Sequence, residues 1–222
     1  MGNGKLIAFE GPDVAGKSSI IEKLKIVLPA IYNDEKFIYT REPGDLITKE
    51  NESEEIRKNL LSNKMSPKEQ SQLFAKSRYL HTLNILEKLK EGYNVITDRY
   101  LLSSIFYQGN ILGYDEVLEH NKDTIDLLNK ENIKLRTIVF QITENTYNQR
   151  MSDREEEKDA LEDTEKALIL DRIDAFNSVE NKSELKHIKD NIVYTVNANG
   201  TAFNRILLDT LYHLDVILKE EK

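Results

Sequence analysis

Gly11-Pro12-Asp13-Val14-Ala15-Gly16-Lys17-Ser18 fits the pattern G-x-x-x-x-G-K-[ST]. Its flanks give the pattern meaning. Leu6–Glu10 before it is a short apolar run of the kind that forms a buried strand. Lys17–Leu28 after it carries Ile20, Ile21, Leu24 and Leu28 at helical spacing. The glycines let the backbone turn, so that several N–H groups point inward as an anion nest. The following helix adds its positive dipole end. Lys17 then places a charge on β- and γ-phosphates, and Ser18 can ligate Mg2+. A chance match in a glycine-containing turn would put a Lys-Ser pair after a buried strand with nothing to bind.

Further candidate strands are Lys36–Thr40, Asn94–Thr97, Thr137–Thr143 and Ile192–Asn197, each followed by helical periodicity. Ser66-Pro67-Lys68-Glu69 reads as a helix start, with Ser66 as N-cap, Pro67 in the first turn and Glu69 closing a capping box. That helix runs to Lys90 and stops at Gly92. Tyr114–Lys130, Asp163–Glu180 and Thr201–Lys219 read as helices too. Alternating strands and helices predict a parallel sheet with helices on both faces. No internal repeat or Pro/Gly/Ser-rich linker divides the chain, so residues 1–222 read as one domain. Asp153–Glu165, the most charged stretch, is a candidate mobile insert.

Composition excludes whole classes of function. The 222 residues contain no cysteine, which removes disulfides, Cys-zinc sites, iron–sulfur clusters and thiol catalysis. No apolar run approaches the ~20 residues that span a bilayer, and no membrane partner is expected. With 31 basic against 39 acidic residues the net charge is −8, the wrong sign for a nucleic-acid-binding surface. An anionic ligand must therefore meet a local cluster of cations, which points to a small phosphate compound. His81, His120, His187 and His213 lie too far apart to form a compact metal motif.

The loop alone leaves several enzyme classes open. A GTPase needs N-K-x-D; Asn121-Lys122-Asp123-Thr124 and Asn129-Lys130-Glu131-Asn132 end wrongly and lie on a helix. No strand carries an apolar run ending in Asp-Glu, as in many motor ATPases. A small kinase remains. Arg41 follows the second strand, and Asp98-Arg99 follows the third. Strand C-terminal ends share one edge of a parallel sheet, where ligands bind, so Lys17, Arg41, Asp98 and Arg99 should converge. Three cations and one carboxylate suit two phosphates and a metal.

FEGPDVAGKSS (Phe9–Ser19), TREPG (Thr40–Gly44), LFAKSR (Leu73–Arg78) and DRYLLSSIFYQG (Asp98–Gly109) together make the sequence resemble the thymidylate kinase family. The resemblance spans nearly the whole chain. It implies a P-loop NTPase three-layer α/β sandwich, with a parallel five-stranded sheet flanked by helices. The implied reaction is ATP- and Mg2+-dependent phosphorylation of dTMP to dTDP, supplying dTTP synthesis, by a homodimer; a sequence without cysteine fits a cytoplasmic setting. ATP would lie on Gly11, Pro12, Asp13, Val14, Ala15, Gly16, Lys17, Ser18 and Ser19, with Asn197 beside the adenine. Asp13 would lie near the acceptor sugar or metal, Arg41 and Arg99 would hold the acceptor phosphate, and Ser18 and Asp98 would hold the metal. Phe74 would stack on thymine, Arg78 would bond its carbonyl edge, and Ser104 and Gln108 would lie at the base. Tyr107 would crowd the 2′ position and favour deoxyribose.

The chain also departs from the family pattern. Phe140-Gln141-Ile142 stands where a Leu-Asp pair is common, and Asn197 where Asp is common. Asp159-Ala160-Leu161-Glu162 keeps the acids of a lid motif but loses its arginine. Val14 occupies a loop position where some members carry arginine, so a lid at about 145–163 is expected to supply that cation. Arg154 is the favoured residue, with Arg150 as the alternative or as an anchor for its helix. Two other readings stay open: a deoxynucleoside kinase with Glu42 as base, and a non-catalytic nucleotide-binding module.

Overall fold

The computed structural model describes residues 4–48, 51–153, 166–181, 191–200 and 202–220. In chain order the elements are β1 (Leu6–Glu10), α1 (Lys17–Ile31), β2 (Lys36–Arg41), α2 (Glu52–Ser62), α3 (Pro67–Lys90), β3 (Tyr93–Asp98), α4 (Leu101–Leu112) and α5 (Tyr114–His120). They continue with α6 (Lys122–Lys130), β4 (Leu135–Gln141), α7 (Glu144–Ser152), α8 (Lys166–Asn177), a 3₁₀ turn at Val179–Asn181, β5 (Ile192–Asn197) and α9 (Phe203–Lys219).

The strands form one parallel sheet in the order β2-β3-β1-β4-β5, the expected α/β architecture. Every residue of the central strand β1 is buried. Successive side chains alternate faces. Leu6 and Ala8 join a core built from α3, α4, α6 and α8, while Ile7 and Phe9 join one built from α1 and α9. This two-sided burial is why β1 reads as a continuous apolar run rather than an alternating one.

The Ser66 capping box is formed: Ser66 accepts from the Glu69 backbone N–H and Glu69 reaches back to the Ser66 backbone. Tyr114–Lys130 is not one helix. It breaks at Asn121, which is buried and accepts a hydrogen bond from Arg78 Nη1. β4 begins and ends two residues earlier than its apolar run predicts, because Thr143 is the N-cap of α7 and accepts from the Thr146 N–H. α4 has buried residues on nearly all sides, so no amphipathic period marks it. Residues 154–165, most of the candidate insert, lie outside the described residues.

Candidate active site

The strand register carries the key residues to one sheet edge. Phe9 pairs with Asp98, and Arg41 pairs with Asp98 from the other side. The loop leaving β1 therefore faces the ends of β3 and β2. Gly11 has φ 146°, and a Cβ there would lie 2.6 Å from the Phe140 carbonyl oxygen. Gly16 has φ 92° and leads directly into α1. Glycine at these two positions permits both the turn and its close approach to β4.

Lys17 Nζ folds back across the loop, donating to the carbonyl oxygens of Gly11 (3.1 Å) and Pro12 (2.8 Å). Its burial, then the nearby Arg99 charge, pushes its pKa down to about 8. Ser18 Oγ donates to Asp98 Oδ2 at 2.6 Å. Arg99 adopts φ 69°. Its N–H bonds the Phe9 carbonyl (2.9 Å), and Nη1 donates to the Gly11 carbonyl (3.2 Å) and Ser103 Oγ (3.1 Å). Its Nη2 pairs with Asp13, which also accepts from Tyr107 Oη at 2.9 Å. Burial opposes ionisation of Asp13, but Arg99 and Lys17 outweigh it and hold the carboxyl below its ordinary value.

Glu10, absent from the sequence-based site, supports this turn from below. It is completely buried and accepts from the Tyr100 and Ser103 N–H groups and from Ser103 Oγ. Burial raises its pKa against those three donors. The carboxyl thus caps the start of α4 from another strand and holds the backbone that presents Arg99.

A cavity of about 700 Å³ opens over these groups, within the usual range for a small-molecule site. On α3, Gln70, Phe74 and Arg78 recur every fourth residue along its wall. Arg78 is buried, and its Nε bonds Glu42 (2.6 Å) while Nη1 bonds Ser104 (2.9 Å) and Asn121. Ser104, Tyr107 and Gln108 come from α4, and Arg41 comes from the end of β2. Arg41 Nη2 pairs with Glu54 at 3.2 Å, and its Nε is buried without a partner among the described residues. Among the described lining residues, seven are Lys or Arg and three are Asp or Glu. A protein of net charge −8 therefore presents a cationic pocket.

The structure brings together Asp13, Lys17, Ser18, Arg41, Phe74, Arg78, Asp98, Arg99, Ser104, Tyr107 and Gln108. Val14, Ala15, Gly16 and Ser19 line the same cavity. Gly11 and Pro12 sit behind the loop, offering their carbonyls to Lys17 rather than lining the pocket. Asn197 is not brought to the cavity. Its Oδ1 accepts from the Asn199 N–H and Nδ2, each at 3.0 Å, and so caps the turn after β5. Arg150 donates to the carbonyls of Val14 (3.0 Å) and Ala198 (2.7 Å), an anchor between α7, the loop and the end of β5. Arg154 lies outside the described residues. Seven described lining residues escaped the sequence reading: Arg57, Leu61, Gln70, Ile111, Arg172, Phe203 and Ile206. Phe203 and Ile206 open α9 at ordinary core spacing, and the two arginines stand in no motif.

Known proteins match this sequence. A family model described as thymidylate kinase matches residues 9–200. A Mycoplasma mobile thymidylate kinase is 49% identical over 110 residues, 48% of this chain and 52% of that protein. One from Limosilactobacillus reuteri is 39% identical over 130 residues, 56% of this chain and 59% of that protein. In these two comparisons the chain spans little more than half the length of its relative. A Staphylococcus epidermidis thymidylate kinase is 32% identical over 217 residues, 96% of this chain and 98% of that protein. The family match runs from the end of β1 through the phosphate-binding loop to just past β5 and takes in most of the described cavity lining; the chain belongs to the thymidylate kinase family.

Proposed function

We propose that the chain transfers the γ-phosphoryl group of ATP to dTMP, giving ADP and dTDP. The observation that carries this reading is one cavity lined by two unlike sets of side chains: Lys17, Ser18 and the Arg99–Asp13 pair at the phosphate-binding loop, and Phe74, Arg78 and Ser104 from α3 and α4. Lys17 releases its loop carbonyls and turns to the donor phosphates, while the loop N–H groups hold them. Arg41 and Arg99 hold the acceptor phosphate in line, exchanging Glu54 and Asp13 contacts for phosphate oxygens. Phe74 stacks on the base, Arg78 meets its carbonyl edge, and Tyr107 packs at the sugar. An acceptor phosphate oxygen attacks the γ-phosphorus and ADP leaves with the bond electrons. The acceptor is already an oxyanion at neutral pH, because its second pKa is ~6. Catalysis is then positioning and charge stabilisation.

The donor set at Ser18 and Asp98 fits Mg2+. Asp98 Oδ1 is buried and has no hydrogen-bond partner among the described residues. Those residues contain no cluster of three or more His, Cys, Asp or Glu able to hold a metal. One hydroxyl and one carboxylate, with nucleotide phosphates completing the shell, is an arrangement Mg2+ accepts. When bound, the ion neutralises charge on the β- and γ-oxygens.

The deoxynucleoside kinase reading needs Glu42 as base. Glu42 is 5% exposed, with one oxygen bonded to Arg78 and the other 3.2 Å from His81 Nδ1, so no free oxygen faces a hydroxyl. A coupled ADP-release assay with dTMP, with thymidine and with no acceptor tests all three readings. Turnover with dTMP alone is expected. Turnover with thymidine alone moves the assignment to the nucleoside kinase, and none with either leaves a binding module.

The lid at about 145–163, a homodimer and a cytoplasmic setting complete the proposal. The homodimer and the lid's role come from the family resemblance, and the cytoplasmic setting from a sequence without cysteine. No described helix is long and apolar enough to cross a membrane. Tyr79 and Leu83, four residues apart on α3, are exposed apolar side chains suited to a subunit contact. Light scattering on the purified chain should return twice the 25.7 kDa chain mass.

A further inference from the structure

Arg172 reaches the cavity from α8, a helix whose rotation is fixed by its buried side. Ile173 and Phe176 are buried, and Phe176 packs edge-on against Phe106 of α4 at 4.9 Å between ring centroids. That packing turns Arg172 toward Tyr107, with its guanidinium carbon 4.3 Å from the ring centroid. Arg99 approaches the same ring at 5.0 Å, and Tyr107 Oη donates to Asp13. Both guanidiniums therefore lie against the ring whose hydroxyl bonds Asp13 of the phosphate-binding loop. The excess positive charge faces the cavity.

Arg150 is spent on two backbone carbonyls, Arg78 on Glu42, and position 14 is an apolar valine. Phosphoryl transfer between two polyanions develops charge between them, and a guanidinium there strengthens toward the transition state. We propose that Arg172 is a catalytic residue, its guanidinium contacting phosphoryl oxygens where the two nucleotides meet. A fixed helix then supplies a cation that the mobile-lid expectation assigned to Arg154. The inference rests on the dTMP kinase reading above.

The test uses the full chain, with R172A, R172Q and R172K beside wild type. The expected result for R172A and R172Q is a kcat about 100-fold lower with KM for dTMP within about threefold. R172K should be intermediate, since lysine keeps the charge but not the planar fork. Added guanidinium ion should restore part of the R172A turnover, which a packing role would not allow. R172Q guards against a folding artefact and should melt close to wild type. Turnover within about threefold of wild type in R172A, or a loss carried by KM alone, overturns the inference while leaving the kinase reading intact. Wild type without dTMP-dependent ADP release would remove both.

Discussion

Ser18 Oγ and Asp98 Oδ2 lie 2.6 Å apart, tying the first turn of α1 to the end of β3. The two residues are 80 positions apart, and the parallel pairing of Phe9 with Asp98 brings them together. The bond holds the two proposed Mg2+ donors together before nucleotide arrives.

Replacing Asp98 by Asn keeps the size and removes the charge. Half-saturating Mg2+ should rise about tenfold or more, with activity partly restored at high Mg2+. A titration of activity against Mg2+ measures this directly. An unchanged titration curve would remove Asp98 from the metal site.

On the proposed reading Lys17→Ala removes the charge that bridges donor phosphates, so kcat should fall by about 100-fold or more. The fold should persist, because the lost contacts are two side-chain bonds to loop carbonyls. Circular dichroism would report the fold and a coupled assay the rate. Turnover within about threefold of wild type would deny the loop a catalytic role.

Much of this site was legible because its residues belong to contiguous motifs at strand ends. The G-x-x-x-x-G-K-S loop, Arg41 and Asp98-Arg99 sit where parallel strands must deliver them. Glu10 was hidden inside an apolar strand, where only the register reveals that it caps α4. Arg172 was hidden because a lone arginine in an amphipathic helix looks like solvated surface until packing shows which way it turns. The break at Asn121 was illegible for a related reason, since helical propensity there yields to a tertiary bond with Arg78.

The depressed Lys17 pKa has a consequence for rate against pH. In the free enzyme Lys17 loses its proton as pH rises through about 8, well below the 10.5 of an ordinary lysine. On the proposed reading the charged form binds donor phosphates, so kcat/KM for ATP should fall above about pH 8. Bound phosphates favour the protonated form, so the falling limb in kcat at saturating ATP should lie at higher pH. For stability the sign is opposite. Burial of the charged amine opposes folding below pH 8, and this cost is relieved as pH rises toward 10.5. A kcat/KM profile for ATP flat from pH 7 to 9.5 would contradict the assignment.

Acceptor choice follows from Arg78, a donor-only side chain already committed at Nε and Nη1. A thymine or uracil carbonyl can accept from the remaining nitrogen. The cytosine amino group would oppose donor to donor, a buried clash of about 1–3 kcal/mol. dTMP should turn over far faster than dCMP, with dUMP weaker than dTMP for want of the methyl contact. Purine monophosphates outperforming dTMP at matched concentrations would show the base site to be wrongly assigned.

Glu42 is the counter-ion that lets Arg78 stay buried. Arg78 is 2% exposed and the pair is 2.6 Å apart. Removing one member of such a pair strands a charge and costs about 3–5 kcal/mol. Glu42→Ala should therefore lower the melting temperature sharply and raise KM for dTMP, because the freed guanidinium no longer points where Ser104 and Asn121 hold it. Glu42→Gln keeps an acceptor for Arg78 Nε, so it should fold better than the alanine variant and lose mainly acceptor affinity. A catalytic base behaves differently: glutamine would spare stability and abolish turnover with KM unchanged. Melting curves and the KM-against-kcat split, measured on both variants, separate the two. Loss of kcat alone in Glu42→Gln would restore Glu42 to the chemistry and reopen the nucleoside kinase reading.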